Sequence, residues 1–209
     1  SLDPNDYYEL GETSHRRLNS FDAVLMRKDP PFDVDYLHAA HLLELAEQNG
    51  VFVMNRPAGL RAANEKLYTL QFSEYMPETI VTRHRERIRS FMTDHGGECI
   101  LKPVDGFGGR GVFKLTAGAT NTSAIIDQMT GEGSERVVVQ AYIPEATEGD
   151  KRVLMLDGQP MGAILRVPPS DDHRGNIHVG GSVEATGLSD DERALCEKVG
   201  ERLVQDGLY

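Results

Sequence analysis

Apolar and polar positions switch between two periods along this chain, and the switch points outline its elements. Phe21-Asp22-Ala23-Val24-Leu25-Met26 is a mostly apolar run of strand length. Arg27-Lys28-Asp29-Pro30-Pro31-Phe32-Asp33 follows as a rigid loop, because two prolines stop the ladder. Tyr36, Leu37, Ala40, Leu43 and Ala46 then recur at helical spacing, with Asp33 or Asp35 to cap the start and Gly50 the end. Val51-Phe52-Val53-Met54 is a second apolar run, closed by Asn55-Arg56-Pro57. Strand, helix and strand at this spacing predict a βαβ crossover with parallel pairing. Ligands meet such sheets at the carboxyl ends of strands. Arg27, Lys28, Asp29, Asn55 and Arg56 sit at those ends, and a solvated charged loop is the competing reading.

The pattern changes after residue 58. Residues 59–73 predict a helix containing Asn64-Glu65-Lys66, and Pro77 lies beyond its end. Residues 79–82 are extended. Residues 83–94 are charged and amphipathic, with Ile88, Phe91 and Met92 on the inward face. Residues 100–113 read as strand, glycine loop and strand, and residues 121–130 as a modest helix. A strand over 136–140 precedes a hairpin of 149–156 and 160–167 around Asp157-Gly158. Residues 168–182 form a long polar, glycine-rich loop. Ser189 and Glu192 make a capping box for a helix running to about Gln205, which Asp206-Gly207 stops. The fold class expected is α/β at the start and α+β afterwards.

Composition narrows the function. The chain has 209 residues, enough for one or two domains, and 39% hydrophobic with 26% charged residues fits a globular protein. A formal net charge of −11 argues against nucleic acid or an anionic membrane as the main partner. The two cysteines, Cys99 and Cys196, are far apart and flanked by apolar residues, which suggests reduced thiols and a cytoplasmic protein, with a catalytic cysteine as the minor alternative. The seven histidines are scattered, and neither HxxxH nor CxxC spacing occurs, which argues against a His/Cys zinc site; no apolar run approaches the ~18 residues of a membrane span. The start, Ser1-Leu2-Asp3-Pro4, resembles neither an initiator nor a signal peptide, so the chain reads as an internal piece of a longer protein.

Residues 100–113 carry the most chemistry. Gly106, Gly108, Gly109 and Gly111 allow backbone N–H groups to crowd round an anion, and Lys102 stands where the first strand enters the loop. A nucleotide phosphate is the natural ligand, and a plain glycine hairpin the alternative. GxxxxGK[ST] is absent, which excludes a Walker loop, and no helix pattern follows the loop as a Rossmann turn would need. Lys66, Lys102, Arg110, Lys151, Arg152, Arg166 and Arg174 lie in loops or at strand ends, an arrangement suited to a polyanion on an otherwise acidic chain.

Several stretches together resemble the bacterial glutathione synthase family of the ATP-grasp ligases. They are RKDPPFD at residues 27–33, Asn55-Arg56-Pro57, Asn64-Glu65-Lys66-Leu67, and Leu101-Lys102-Pro103 through Gly111. Gln140-Ala141-Tyr142-Ile143-Pro144, Gly149-Asp150-Lys151-Arg152, Asp157-Gly158, Arg174-Gly175-Asn176 and Gly180-Gly181 follow in the family's order. The resemblance implies an ATP-grasp fold over residues 59–209, behind the remainder of a Rossmann-like pre-ATP-grasp domain over 1–58. It implies an ATP-dependent ligase that phosphorylates the cysteinyl carboxylate of γ-glutamylcysteine and lets glycine attack the acyl phosphate. Lys66, Lys102 and the glycines at 106, 108, 109 and 111 would hold the phosphates. Gln140, Ala141, Tyr142 and Ile143 would read adenine through their backbone, and Asp150 would accept from the ribose. Arg152 and Arg166 would hold the transferring group, Arg174 and Asn176 would belong to a lid, and Asp29 with Asn55 would lie on the tripeptide side.

The sequence departs from the family at Ala141, at Leu165 before Arg166, and at Ser182, where one lid cation is lost. The resemblance also implies that Mg²⁺ ligands lie beyond Tyr209 and that strands are missing before residue 1, so this chain by itself is expected to be inactive or feeble. A homo-oligomer acting on small molecules in the cytoplasm is the expected context. An ATP-grasp ligase for another acid, or a nucleotide-binding module without catalysis, are the competing readings.

Overall fold

The computed structural model of the chain describes residues 9–28, 31–168 and 182–209. Asp29 and the expected loop residues 169–181, with Arg174 and Asn176, lie outside them. Strand β1 (Val24–Leu25) pairs parallel with β2 (Val53–Met54), and α1 (Val34–Gln48) joins them. This is the βαβ unit expected, with shorter strands. Asp33 caps α1 by accepting from the Tyr36 N–H at 2.8 Å. Arg61 of α2 (Pro57–Ala62) pairs with Glu44 of α1 at 2.8 Å and holds the two helices together.

The helix expected over 59–73 is broken. After α2 the backbone turns at residues 63–67 and resumes as a 3-10 segment, Tyr68–Tyr75. The cause is Asn64, only 7% exposed, whose Oδ1 accepts from the N–H groups of Lys66 and Leu67, both at 3.0 Å. A local side-chain acceptor replaces the helical partners of those N–H groups.

A four-stranded antiparallel sheet follows in the order β3 (Thr79–Thr82), β6 (Val137–Ala141), β4 (Glu98–Pro103), β5 (Phe113–Thr116). Strand side chains alternate between faces. Cys99, Leu101, Val137 and Val139 point to one face and form the core with Leu115, with Ile88, Phe91 and Met92 of α3 (Arg85–Asp94), and with Ile126 of α4 (Thr122–Met129). Each fully buried Leu or Ile there contributes roughly 1.5–3 kcal/mol. The opposite face carries Lys102 and Gln140, and the register sets Gln140 directly beside Thr79.

A second antiparallel sheet contains β7 (Asp150–Leu156), β8 (Gln159–Val167) and β9 (Ser182–Thr186). The hairpin at Asp157-Gly158 forms as expected, whereas β9 does not appear in the sequence pattern. Helix α5 (Asp190–Gln205) begins with the expected capping box between Ser189 and Glu192 and packs on β8. The chain end returns to the first unit. Arg56 N–H donates to Gly207 O at 2.9 Å, and Tyr209 N–H donates to Asn55 Oδ1 at 2.6 Å. Among the described residues no helix is long and apolar enough to cross a membrane.

Candidate functional site

The face of the four-stranded sheet away from the core ends at the glycine loop, and two lysines converge there. Lys102 projects from β4, where Nζ donates to Gln140 Oε1 at 2.7 Å. Burial pushes the Lys102 ammonium below its ordinary pKa, and the nearby Lys66 charge adds to that shift. Lys66 comes from the turn that Asn64 creates. Its ammonium pairs with Glu65 at 2.6 Å and also donates to the carbonyl oxygen of Gly106. Asn64 Nδ2 reaches Asp105 Oδ1 at 3.2 Å, which ties the Lys66 turn to the start of the loop.

The loop backbone suits an anion. Gly108, Gly109 and Gly111 have φ of +61°, +78° and +69°, where side chains are strained. A Cβ at Gly106 would sit 2.3 Å from Pro103 Cγ. Arg110 stacks at 5.5 Å over the Phe107 ring. Beside the loop a small cleft of about 120 Å³ is lined by Lys28, Phe32, Tyr36, Glu65, Val104 and Asp105, among others.

The remaining expected positions fall into two groups. Ala141 closes β6, and Tyr142 follows it with the Lys114 ammonium 3.8 Å above its ring; Ile143 is 44% exposed. Asp150 and Arg166 face each other across β7 and β8 and form an ion pair at 2.7 Å. Arg152, two residues along β7, is exposed, while Lys151 pairs with Glu192 of α5 at 2.6 Å. Asn55 accepts from Tyr209 at the junction with the chain end. Two residues had no role in the sequence reading. Thr79 accepts from Gln140 Nε2 at 2.9 Å, and Lys114 lies over Tyr142. Parity along the strands is the signal that finds Thr79, because it shares a face with Gln140.

These residues fit a nucleotide triphosphate. The Lys66 charge lies close enough to add to the depression of Lys102, Lys102 is held by an amide rather than a carboxylate, and the loop excludes side chains. The donor set does not fit a metal in the same way. Among the described residues no group of three or more His, Cys, Asp or Glu side chains converges, and no magnesium step is assigned to them.

The prokaryotic glutathione synthetase ATP-grasp domain matches residues 65–209, and the N-terminal domain of the same proteins matches residues 1–61. The glutathione synthetase of Thermosynechococcus vestitus is 45% identical over 206 residues, covering 99% of this chain and 64% of that protein. The Shewanella oneidensis glutathione synthetase is 46% identical over 207 residues, covering 99% of this chain and 65% of that protein. The chain therefore spans about 65% of the length of these relatives. Among solved structures, a D-cycloserine synthetase aligns with a TM-score of 0.68 at 20% identity, covering 94% of this chain and 70% of that one. An ATP-grasp RimK domain protein from Sphaerobacter thermophilus aligns with a TM-score of 0.64 at 24% identity, covering 88% and 64%. These two share the fold. The two family domains lie in order along the sequence and between them take in nearly all of it, so the chain belongs to the prokaryotic glutathione synthetase family and carries the ATP-grasp fold.

Proposed function

We propose that this chain forms the nucleotide-binding part of an ATP-dependent carbon–nitrogen ligase that joins γ-glutamylcysteine and glycine into glutathione. The observation that carries this reading is the Lys66–Lys102 pair beside the glycine loop, one ammonium held by an amide and the other by the loop carbonyl. Identity of 42–46% to glutathione synthetases supports the choice of substrates. ATP supplies the phosphoryl group that activates the cysteinyl carboxylate.

Within that reaction Lys66 and Lys102 neutralise the phosphates as point charges. The N–H groups of Gly106, Gly108, Gly109 and Gly111 take up charge that develops on transfer. The backbone of 140–143 reads adenine and Asp150 the ribose. Arg166 gives up part of its hold on Asp150 to join Arg152 on the transferring group. Arg174 and Asn176 shield the acyl phosphate from water. Asp29 and Asn55 serve the tripeptide side. Residues 1–58 belong to the substrate domain and 59–209 to the ATP-grasp domain. The acidic surface, at −11, supports small-molecule substrates over nucleic acid or membrane, and the protein works as a cytoplasmic homo-oligomer.

Two measurements test the reading. ATP titrated into this chain by calorimetry should bind, and Lys66→Ala or Lys102→Ala should each weaken binding about tenfold or more. The full-length natural protein carrying this chain should release ADP only when Mg²⁺, γ-glutamylcysteine and glycine are all present. Release with another acid in place of γ-glutamylcysteine would assign a different ligase.

A further inference from the structure

The site contains a polar chain that no expected role accounts for. Thr79 Oγ1 donates its single proton to Pro77 O at 2.8 Å. Its contact with Gln140 Nε2, at 2.9 Å, must then be one in which Thr79 accepts. Gln140 consequently points Nε2 at Thr79 and presents Oε1 to Lys102 Nζ at 2.7 Å. Had the amide turned over, two donors would face each other at Lys102, and the Thr79 hydroxyl would meet Oε1 with its proton already committed. Register places the three side chains on one face, since Thr79 is opposite Gln140 and Lys102 is opposite Val138, two residues from Gln140. All three sit on strands of one sheet and are less than fully exposed.

We propose that Thr79 and the Gln140 side chain are positioning residues: Thr79 fixes the orientation of the Gln140 amide, whose oxygen holds the Lys102 ammonium aimed at the loop and keeps it charged. The inference deepens the nucleotide reading and rests on it for the identity of the anion. Lys102 is disfavoured as a cation by burial and by Lys66, and among the described residues it makes no ion pair. The amide oxygen is the dipole that opposes those two effects, and it does so without occupying the ammonium with a fixed negative charge. Sequence reading assigned Gln140 to adenine through its backbone; a side chain engaged with Lys102 leaves that backbone role intact and adds a separate one.

The test follows Lys102 directly, without nucleotide. Lysines of the whole chain are labelled by reductive ¹³C-methylation, the Lys102 signal is identified from Lys102→Arg, and its titration is read by NMR. Gln140→Leu should lower the Lys102 titration midpoint, and Gln140→Glu should raise it. Thr79→Val should lower it, and Thr79→Ser, which keeps the hydroxyl, should restore it. ATP affinity of the same proteins at neutral pH should fall about fivefold or more for Thr79→Val and stay within about twofold for Thr79→Ser. Unchanged midpoints in Gln140→Leu and Thr79→Val, or a Thr79→Ser protein that behaves like Thr79→Val, would overturn the assignment. Should the parent chain bind no ATP while the midpoints move as expected, the nucleotide reading fails and the positioning chain stands.

Discussion

Lys102 is a residue whose charge opposes the stability of the fold. Burial and the Lys66 charge hold its folded pKa below the ordinary value of 10.5. The unfolded chain keeps the proton up to that value, while the folded chain releases it earlier. Between the two, the unfolded state binds more protons, so stability rises with pH across that interval. The charge is therefore a destabilising element at neutral pH that declines as pH climbs towards 10.5. Lys102→Met removes it, and the difference in urea midpoint between variant and parent should shift in the parent's favour from about pH 7 to about pH 10. A difference that moves the other way would mean that burial is not the dominant influence. The lysine's position at a strand–loop junction was visible in the sequence. Its partner was not, because Gln140 is 38 residues from Lys102 and Thr79, which holds the Gln140 amide, is 61 residues from Gln140, on separate strands.

Elements whose signals are local were legible. Helix α3 has its apolar residues at helical spacing, and Ile88, Phe91 and Met92 are buried as that spacing demands. At α5 the Ser189 hydroxyl accepts from the Glu192 N–H, and the Glu192 carboxylate accepts from the Ser189 N–H. Ser189→Ala should lower stability by about 1 kcal/mol in urea denaturation, with little change in slope. Lys151 and the Ser189 N–H hold the Glu192 carboxyl below the usual carboxylate range, so their contribution is present above pH 4.5 and fades as pH falls. Where a tertiary partner intervenes the pattern misleads. Residues 59–73 have helical composition, yet Asn64 turns the backbone because its amide is also engaged by Asp105 of the glycine loop. Strand β9 was hidden because its residues, Ser182–Thr186, are largely exposed and carry no strong alternation.

At the scale of the whole molecule, close backbone approaches decide how the units meet. A Cβ on Gly200 of α5 would lie 2.0 Å from Gly158 O, so the helix and the β7–β8 turn touch through bare backbone. At Gly59 it would lie 2.2 Å from Asp206 O, where α2 meets the chain end. Gly200→Ala should therefore destabilise the chain by about 1–3 kcal/mol, from overpacking. Gly162→Ala, with nothing within 4 Å of the added carbon, should change stability by less than about 1 kcal/mol. Equal effects from the two substitutions in thermal unfolding would mean that the helix–hairpin contact is not tight.

The amino-acid order by itself determined the parallel βαβ start, the amphipathic and capped helices, the hairpin at Asp157-Gly158 and the lysine at the mouth of a glycine loop. Those features depend on neighbours within a few turns or strands of chain, where periodicity, capping and turn chemistry act. Tertiary structure alone decided the strand order β3-β6-β4-β5, which gathers Thr79, Gln140 and Lys102 on one face. It also decided that Asp150 and Arg166 pair and that Asn64 reaches the loop. Pairing register and the satisfaction of half-buried polar groups are settled only when distant segments compete for the same partners, and local sequence carries no record of that competition.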